Sequence, residues 1–268
     1  MKRFVILLVS LFVFLAFQGA MARAASEKVP LTERILVNID KDGVAFFAGG
    51  AMYVIRADCI GLPKTLLYFT AKDFTKNKNF LIKKVEKVEQ KVDTPDRKMV
   101  KVTMLVGDNK IENDIDQNYR LVLFAEIIKG EDYLVLYSKF LYLGEGTRKC
   151  GINWGFSSAS DEDPFKYYTL PQKGKDMTYK LSGSKKNKIG YAKWLYVHNG
   201  KGMGIGLVSP ALLGKGEDFI FINTVPPTKD LKRNESSDVF MVWVPITDGY
   251  KVLEKTYEEI NKIQWKFE

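Results

Sequence analysis

One histidine and two cysteines among 268 residues leave little room for metal or thiol chemistry. His198, Cys59 and Cys150 lack the ligand spacing of a zinc site, so no metal is expected. No Gly-x-Ser-x-Gly elbow and no catalytic Cys–His context marks a nucleophile. Gly200, Gly202, Gly204 and Gly206 do not have the spacing of a nucleotide fingerprint, and they lie between strands rather than at the opening of a helix. No cofactor is therefore implied. The chain also lacks an internal repeat, an interdomain linker, a nucleic-acid-binding motif and any apolar run of membrane-spanning length after the first residues.

What is present starts at the N-terminus. Lys2 and Arg3 precede an apolar run at 4–17, broken only by Ser10 and followed by Ala20-x-Ala22 and Ala22-x-Ala24. A short basic stretch, an apolar core and small residues at a cleavage position make residues 1–24 a secretory signal peptide. The run is 14 residues long, short of the ~20 that span a bilayer, and no cysteine stands near the cut to carry a lipid. The expectation is an exported protein, periplasmic or extracellular, with no membrane segment after cleavage. Residues 25–268 then form one domain.

Loss of the leader removes Lys2, Arg3 and Arg23, so the formal charge of +9 falls by three to +6. A mild excess spread along the chain reads as a solvated surface; it also suits an acidic partner such as a uronic-acid polymer. Nucleic acid is excluded as a partner by the compartment. In an oxidising compartment Cys59 and Cys150 are expected to pair, although two buried thiols in neighbouring strands remain the alternative.

Segments 34–39, 44–47 and 52–56 are short apolar runs parted by Asp-Gly and Gly-Gly, and 65–70 follows. Four longer segments, 80–92, 98–106, 119–128 and 133–143, repeat with a period near two. Val100, Val102, Met104 and Val106 share one face while Lys101 and Thr103 share the other. Between 154 and 189 the pattern weakens into loop chemistry, including Asp161-Glu162-Asp163, a set of acids either solvated or calcium-facing. Strand character returns at 193–198, 203–209, 218–223 and 238–244, with Asn199-Gly200 as a hairpin turn. At the end, Val252, Leu253, Tyr257, Ile260 and Ile263 give 250–263 an amphipathic helical face. The fold class predicted is all-β: a large antiparallel β-sandwich with a C-terminal α-helix.

This order of segments resembles the galactose-mutarotase-like supersandwich of carbohydrate-active proteins. The hairpin at 80–106 is similar to one such pair. A second at 119–143 carries the aromatic–Arg start, Tyr119 and Arg120, and an acid in mid-strand, Glu126. The hairpin "NGKGMGIGLVSP" and the closing run Phe240-Met241-Val242-Trp243-Val244-Pro245 before a Tyr-bearing helix fit as well. The resemblance covers about residues 34–262 as a strand pattern. It implies a sugar-related role and a substrate-facing Arg120. Mutarotase-type enzymes use a catalytic His with a Glu base; here only His198 is available, with no family motif around it.

Alternation places Trp194, Tyr196 and His198 on one face of a strand and Leu195 and Val197 on the other. Sugars stack their C–H faces on aromatic rings, so Trp194 and Tyr196 are candidate substrate-binding residues; the alternative is a second core layer. His198 with Glu126 is the candidate catalytic pair, His198 as general base. Glu126 interrupts an apolar run and must be paired, solvated in a groove or shifted in pKa, with Arg120 or a lysine as the simple partner. Three functions follow as expectations: an exported carbohydrate-binding or glycan-processing accessory protein, a carbohydrate epimerase or polysaccharide lyase, or a non-catalytic envelope module that docks an unknown protein.

Overall fold

The computed structural model describes residues 27–30, 35–40, 43–48 and 51–56, then 68–263 apart from 129–132, 158–165, 182–186, 202–203, 210–211, 216–218, 224–227 and 247–249. Residues 1–24, expected to be a leader, and Cys59 and Asp161–Asp163 lie outside the described residues. Four strands, β1 (Glu27–Pro30), β2 (Ile35–Asp40), β3 (Gly43–Ala48) and β4 (Ala51–Arg56), form an antiparallel meander.

All the remaining described strands belong to one antiparallel sheet. They are β5 (Tyr68–Asp73), β6 (Lys78–Thr94), β7 (Arg97–Asp108), β8 (Tyr119–Ile128), β9 (Leu134–Tyr142), β10 (Arg148–Ser157), β11 (Tyr167–Gln172), β12 (Lys175–Lys180), β13 (Asn187–Tyr191), β14 (Trp194–His198), β15 (Gly204–Val208), β16 (Leu212–Lys215), β17 (Phe219–Asn223), β18 (Lys229–Leu231) and β19 (Ser236–Ile246). Their spatial order is β12-β11-β14-β15-β19-β9-β8-β7-β6-β5-β10-β17-β16-β13, with β18 beside β10. A sheet this wide curls on itself because adjacent strands twist. It folds so that β10 lies against β9 and β19. Val102, Met104, Leu121, Leu123, Leu136, Phe140 and Met241 from one layer bury against Cys150, Ile152 and Trp154 from the other. The all-β sandwich expected from the periodicity is the architecture observed.

Two features depart from the sequence reading. The stretch read as loop contains the hairpin β11–β12, turned by Lys173 (φ 52°) and Gly174 (φ 77°). Its outer strand β12 is a sheet edge exposed at nearly every position, so it has no alternation to detect. The C-terminal helix α1 is shorter than read, Val252–Ile260, because Tyr250 and Lys251 form its entry turn and Asn261 closes it. Leu253, Thr256 and Ile260 face the sheet at helical spacing.

Candidate functional site

The β14–β15 hairpin puts its two faces in different surroundings. Leu195 and Val197 join the core between the layers. Trp194 and Tyr196 point to the outer face, where α1 packs over them with Val135, Val208, Val242, Leu253 and Ile260. Tyr250, in the turn into α1, sets its ring 5.3 Å from Trp194 and 5.5 Å from Tyr196. Trp194 and Tyr196 are each 3% exposed. They form the second core layer, and the expectation of an open sugar platform on these two rings is corrected. The helix needs an apolar floor, and they supply it.

His198, the next residue on that face, is half-buried. Its ring stacks on Tyr196 at 4.4 Å and 8°, and on Tyr167 of β11 at 5.6 Å and 26°; each such pair contributes roughly 1 kcal/mol. Gly204 and Gly206 stand opposite His198 and Tyr196 on β15. At Gly204 a Cβ would lie 2.2 Å from the Val197 carbonyl oxygen and 2.7 Å from the Tyr196 ring, so only glycine leaves the stack its room. Both imidazole nitrogens are engaged. The Gly200 N–H donates to Nδ1 at 3.2 Å, which makes Nε2 the protonated nitrogen. Nε2–H donates to Thr169 Oγ1 at 3.1 Å, and that hydroxyl lies 2.8 Å from Thr178 Oγ1. Burial holds the imidazole below its ordinary pKa.

At the rim of this stack Tyr250 Oη donates to Asp176 Oδ2 at 3.2 Å. Burial first, and the Asp176 carboxylate next, push the Tyr250 phenol up. Tyr167, Thr178, Asp176 and Tyr250 were not singled out from sequence. Their strands lacked a pattern, and only the strand order brings β11, β12 and the helix entry to one place.

Glu126 and His198 do not meet. Register runs from Glu126 through Val135, Val242 and Val208 to Trp194, not His198. Four strand spacings, about 19 Å, separate β8 from β14. The catalytic pairing of His198 with Glu126 is thus corrected, and the epimerase or lyase reading loses its acid–base pair. Glu126 is fully buried and bound by Arg97 Nε from the start of β7. Arg120 stands six residues along β8 from Glu126, about 20 Å at the strand rise. Its guanidinium binds Glu86 Oε2 at 2.8 Å and the Tyr119 carbonyl at 2.8 Å, tying β8 to β6.

Cys150 is a free, fully buried thiol, so the structure does not show the expected Cys59–Cys150 bond. Burial, then the Asp73 carboxylate paired opposite it, pushes the Cys150 thiol up to about 12, which leaves it inert. Among the described residues no His, Cys, Asp and Glu group could hold a metal ion, and no helix is long and apolar enough to cross a membrane.

No protein-family model matches this sequence, and no curated protein matches it. Solved structures do. An α-mannosidase from Enterococcus faecalis aligns with a TM-score of 0.54 at 9% identity, over 90% of this chain and 31% of its own. A GH36 α-galactosidase from Geobacillus stearothermophilus, solved with 1-deoxygalactonojirimycin, aligns with 0.51 at 11% identity, over 87% of this chain and 42% of its own. A galactose mutarotase related enzyme from Lactobacillus acidophilus gives 0.45 at 11% identity, over 82% of this chain and 97% of its own. The chain spans less than half the length of the two glycosidases. The likeness is one of fold alone: the chain shares the β-sandwich architecture over which it aligns with the two glycosidases.

Proposed function

We propose that this chain is an exported carbohydrate-binding protein, an accessory to glycan processing, whose sugar-facing surface is the rim formed by Tyr167, His198, Tyr250, Asp176 and Thr178. One observation carries the reading. A stacked aromatic row ends in half-buried rings at Tyr167 and His198; the exposed Thr178 reaches His198 through Thr169, and the exposed Asp176 stands at the other end of the row against Tyr250. A ring face accepts the C–H side of a pyranose while a carboxylate and hydroxyls take its hydroxyl groups. The solved glycosidases that share the fold support a sugar ligand, and the leader supports an extracellular one. The mild positive charge favours an acidic polysaccharide over a neutral one.

A glycan array with polysaccharide depletion on the purified chain tests this. Tyr167→Ala is expected to weaken binding by roughly fivefold to tenfold, the value of about 1 kcal/mol of stacking, with the unfolding midpoint measured in parallel. Absence of binding to every neutral and acidic glycan would overturn the proposal. Mass determination of the exported protein's N-terminus checks the leader; a chain that retains residues 1–24 would refute the cleavage.

A further inference from the structure

We propose that Asn199–Gly200 is a self-modifying site, in which His198 acts as the base that converts the Asn199 side-chain amide to a cyclic imide and then to aspartate or isoaspartate. Asn199-Gly200 is the one Asn-Gly dipeptide of the chain. Imide formation requires the backbone nitrogen after the asparagine to lose its proton and attack the side-chain carbonyl carbon. Glycine permits this because no side chain obstructs the approach.

Three features of the turn match that requirement. Gly200 N–H, the nitrogen that must attack, donates to His198 Nδ1 at 3.2 Å, so an unprotonated imidazole nitrogen stands on the proton to be removed. Lys201 N–H donates to Asn199 Oδ1 at 2.7 Å, which polarises the amide and holds the oxygen on which negative charge develops. Gly200 has φ 88°, and a Cβ there would lie 2.8 Å from the Tyr167 ring, so the fold itself requires the reactive glycine. Burial keeps the His198 base neutral near neutral pH.

The step balances without an external oxidant or reductant. His198 Nδ1 takes the Gly200 proton as the N–Cγ bond forms. The same proton is returned to Asn199 Nδ2 as the Cγ–Nδ2 bond breaks and ammonia leaves. Solvent water then opens the imide at either carbonyl; Gly200 and Lys201 are exposed at the turn. The product carries a new carboxylate, and in the isoaspartate form an extra backbone atom, in the turn that positions His198. The reaction would therefore age the hairpin irreversibly.

Peptide mapping of the full chain, incubated at neutral pH either native or unfolded in urea, tests the proposal. Conversion at residue 199 is expected to run on the order of tenfold faster in the native chain, below the roughly 10²-fold or more that a fully positioned base supplies. In His198→Gln, which accepts the Gly200 hydrogen bond without basicity, the native advantage is expected to vanish. A native rate equal to or below the unfolded rate overturns the proposal, and so does an undiminished rate in His198→Gln. If His198→Gln fails to fold, the native-to-unfolded comparison in the parent chain still decides.

Discussion

Glu126, fully buried on β8, shares its carboxylate with the Arg97 guanidinium that enters from the first residue of β7. Arg97 binds one oxygen, and the other, Oε2, is buried with no hydrogen-bond partner among the described residues. The carboxylate is flanked in register by Met99 and Val135, which offer it no donor from their side chains. Among the described residues Glu126 therefore depends on one cation, held at the first position of β7 in the interior of the sheet.

Removal of that cation should cost far more than a surface ion pair is worth. Arg97→Met leaves an uncompensated buried charge and is expected to destabilise the fold by about 3–5 kcal/mol. The double variant Arg97→Met with Glu126→Leu should recover most of the loss, because it removes the desolvated charge as well. Urea unfolding midpoints at constant slope measure both. An Arg97→Met chain as stable as the parent would show that Glu126 has another means of compensation. Glycan binding, four strands away, should be unchanged in the double variant.

A second buried acid is satisfied differently. Asp73 accepts from Tyr119 Oη at 2.6 Å and from the Lys76 backbone N–H at 2.9 Å, closing the β5–β6 turn onto the start of β8. Burial, then the Asp73 carboxylate, pushes the Tyr119 phenol well up, so it is a donor at every physiological pH. Tyr119 also packs 4.6 Å from Phe80 and 5.2 Å from Phe140. Tyr119→Phe keeps that packing and removes only the hydroxyl. It is expected to cost about 1–3 kcal/mol, the penalty of leaving a buried acceptor short of a donor. An unfolding midpoint within error of the parent's would refute the role given to this hydrogen bond.

These two acids show where sequence reasoning succeeds and where it stops. Strand periodicity located β7, β8, β9 and β14 and separated Leu195 and Val197 from Trp194 and Tyr196, because alternation is a local property. It also marked Glu126 as an acid in an apolar run that needed a partner. The partner itself, Arg97, was not legible. It lies 29 residues away, and register across β7 and β8, not spacing, brings it in. The same limit explains Trp194 and Tyr196. Whether an outer face is open or roofed depends on where α1 docks, and amphipathicity says only that the helix has a face to bury. Asp176 and Thr178 went unnoticed because the exposed edge strand β12 leaves no hydrophobic period, and Tyr167 because β11 buries three successive residues without alternation.

His198 links the site to pH. Its folded pKa is depressed by burial, so between that value and the ordinary histidine value the unfolded chain binds more protons than the native one. Stability therefore rises with pH across this window and is lost on acidification, beginning near the ordinary histidine pKa of about 6.5. Protonation at Nδ1 also turns the acceptor of the Gly200 N–H into a donor, which breaks the contact that holds the turn. As the chain has one histidine, its imidazole proton resonances need no assignment by mutation. The NMR titration is expected to give a midpoint below that of the urea-unfolded chain, with amide exchange at Gly200 accelerating through the same transition. A native midpoint at or above the unfolded one would reverse the sign and show that stacking between Tyr167 and Tyr196 stabilises the imidazolium more than burial penalises it.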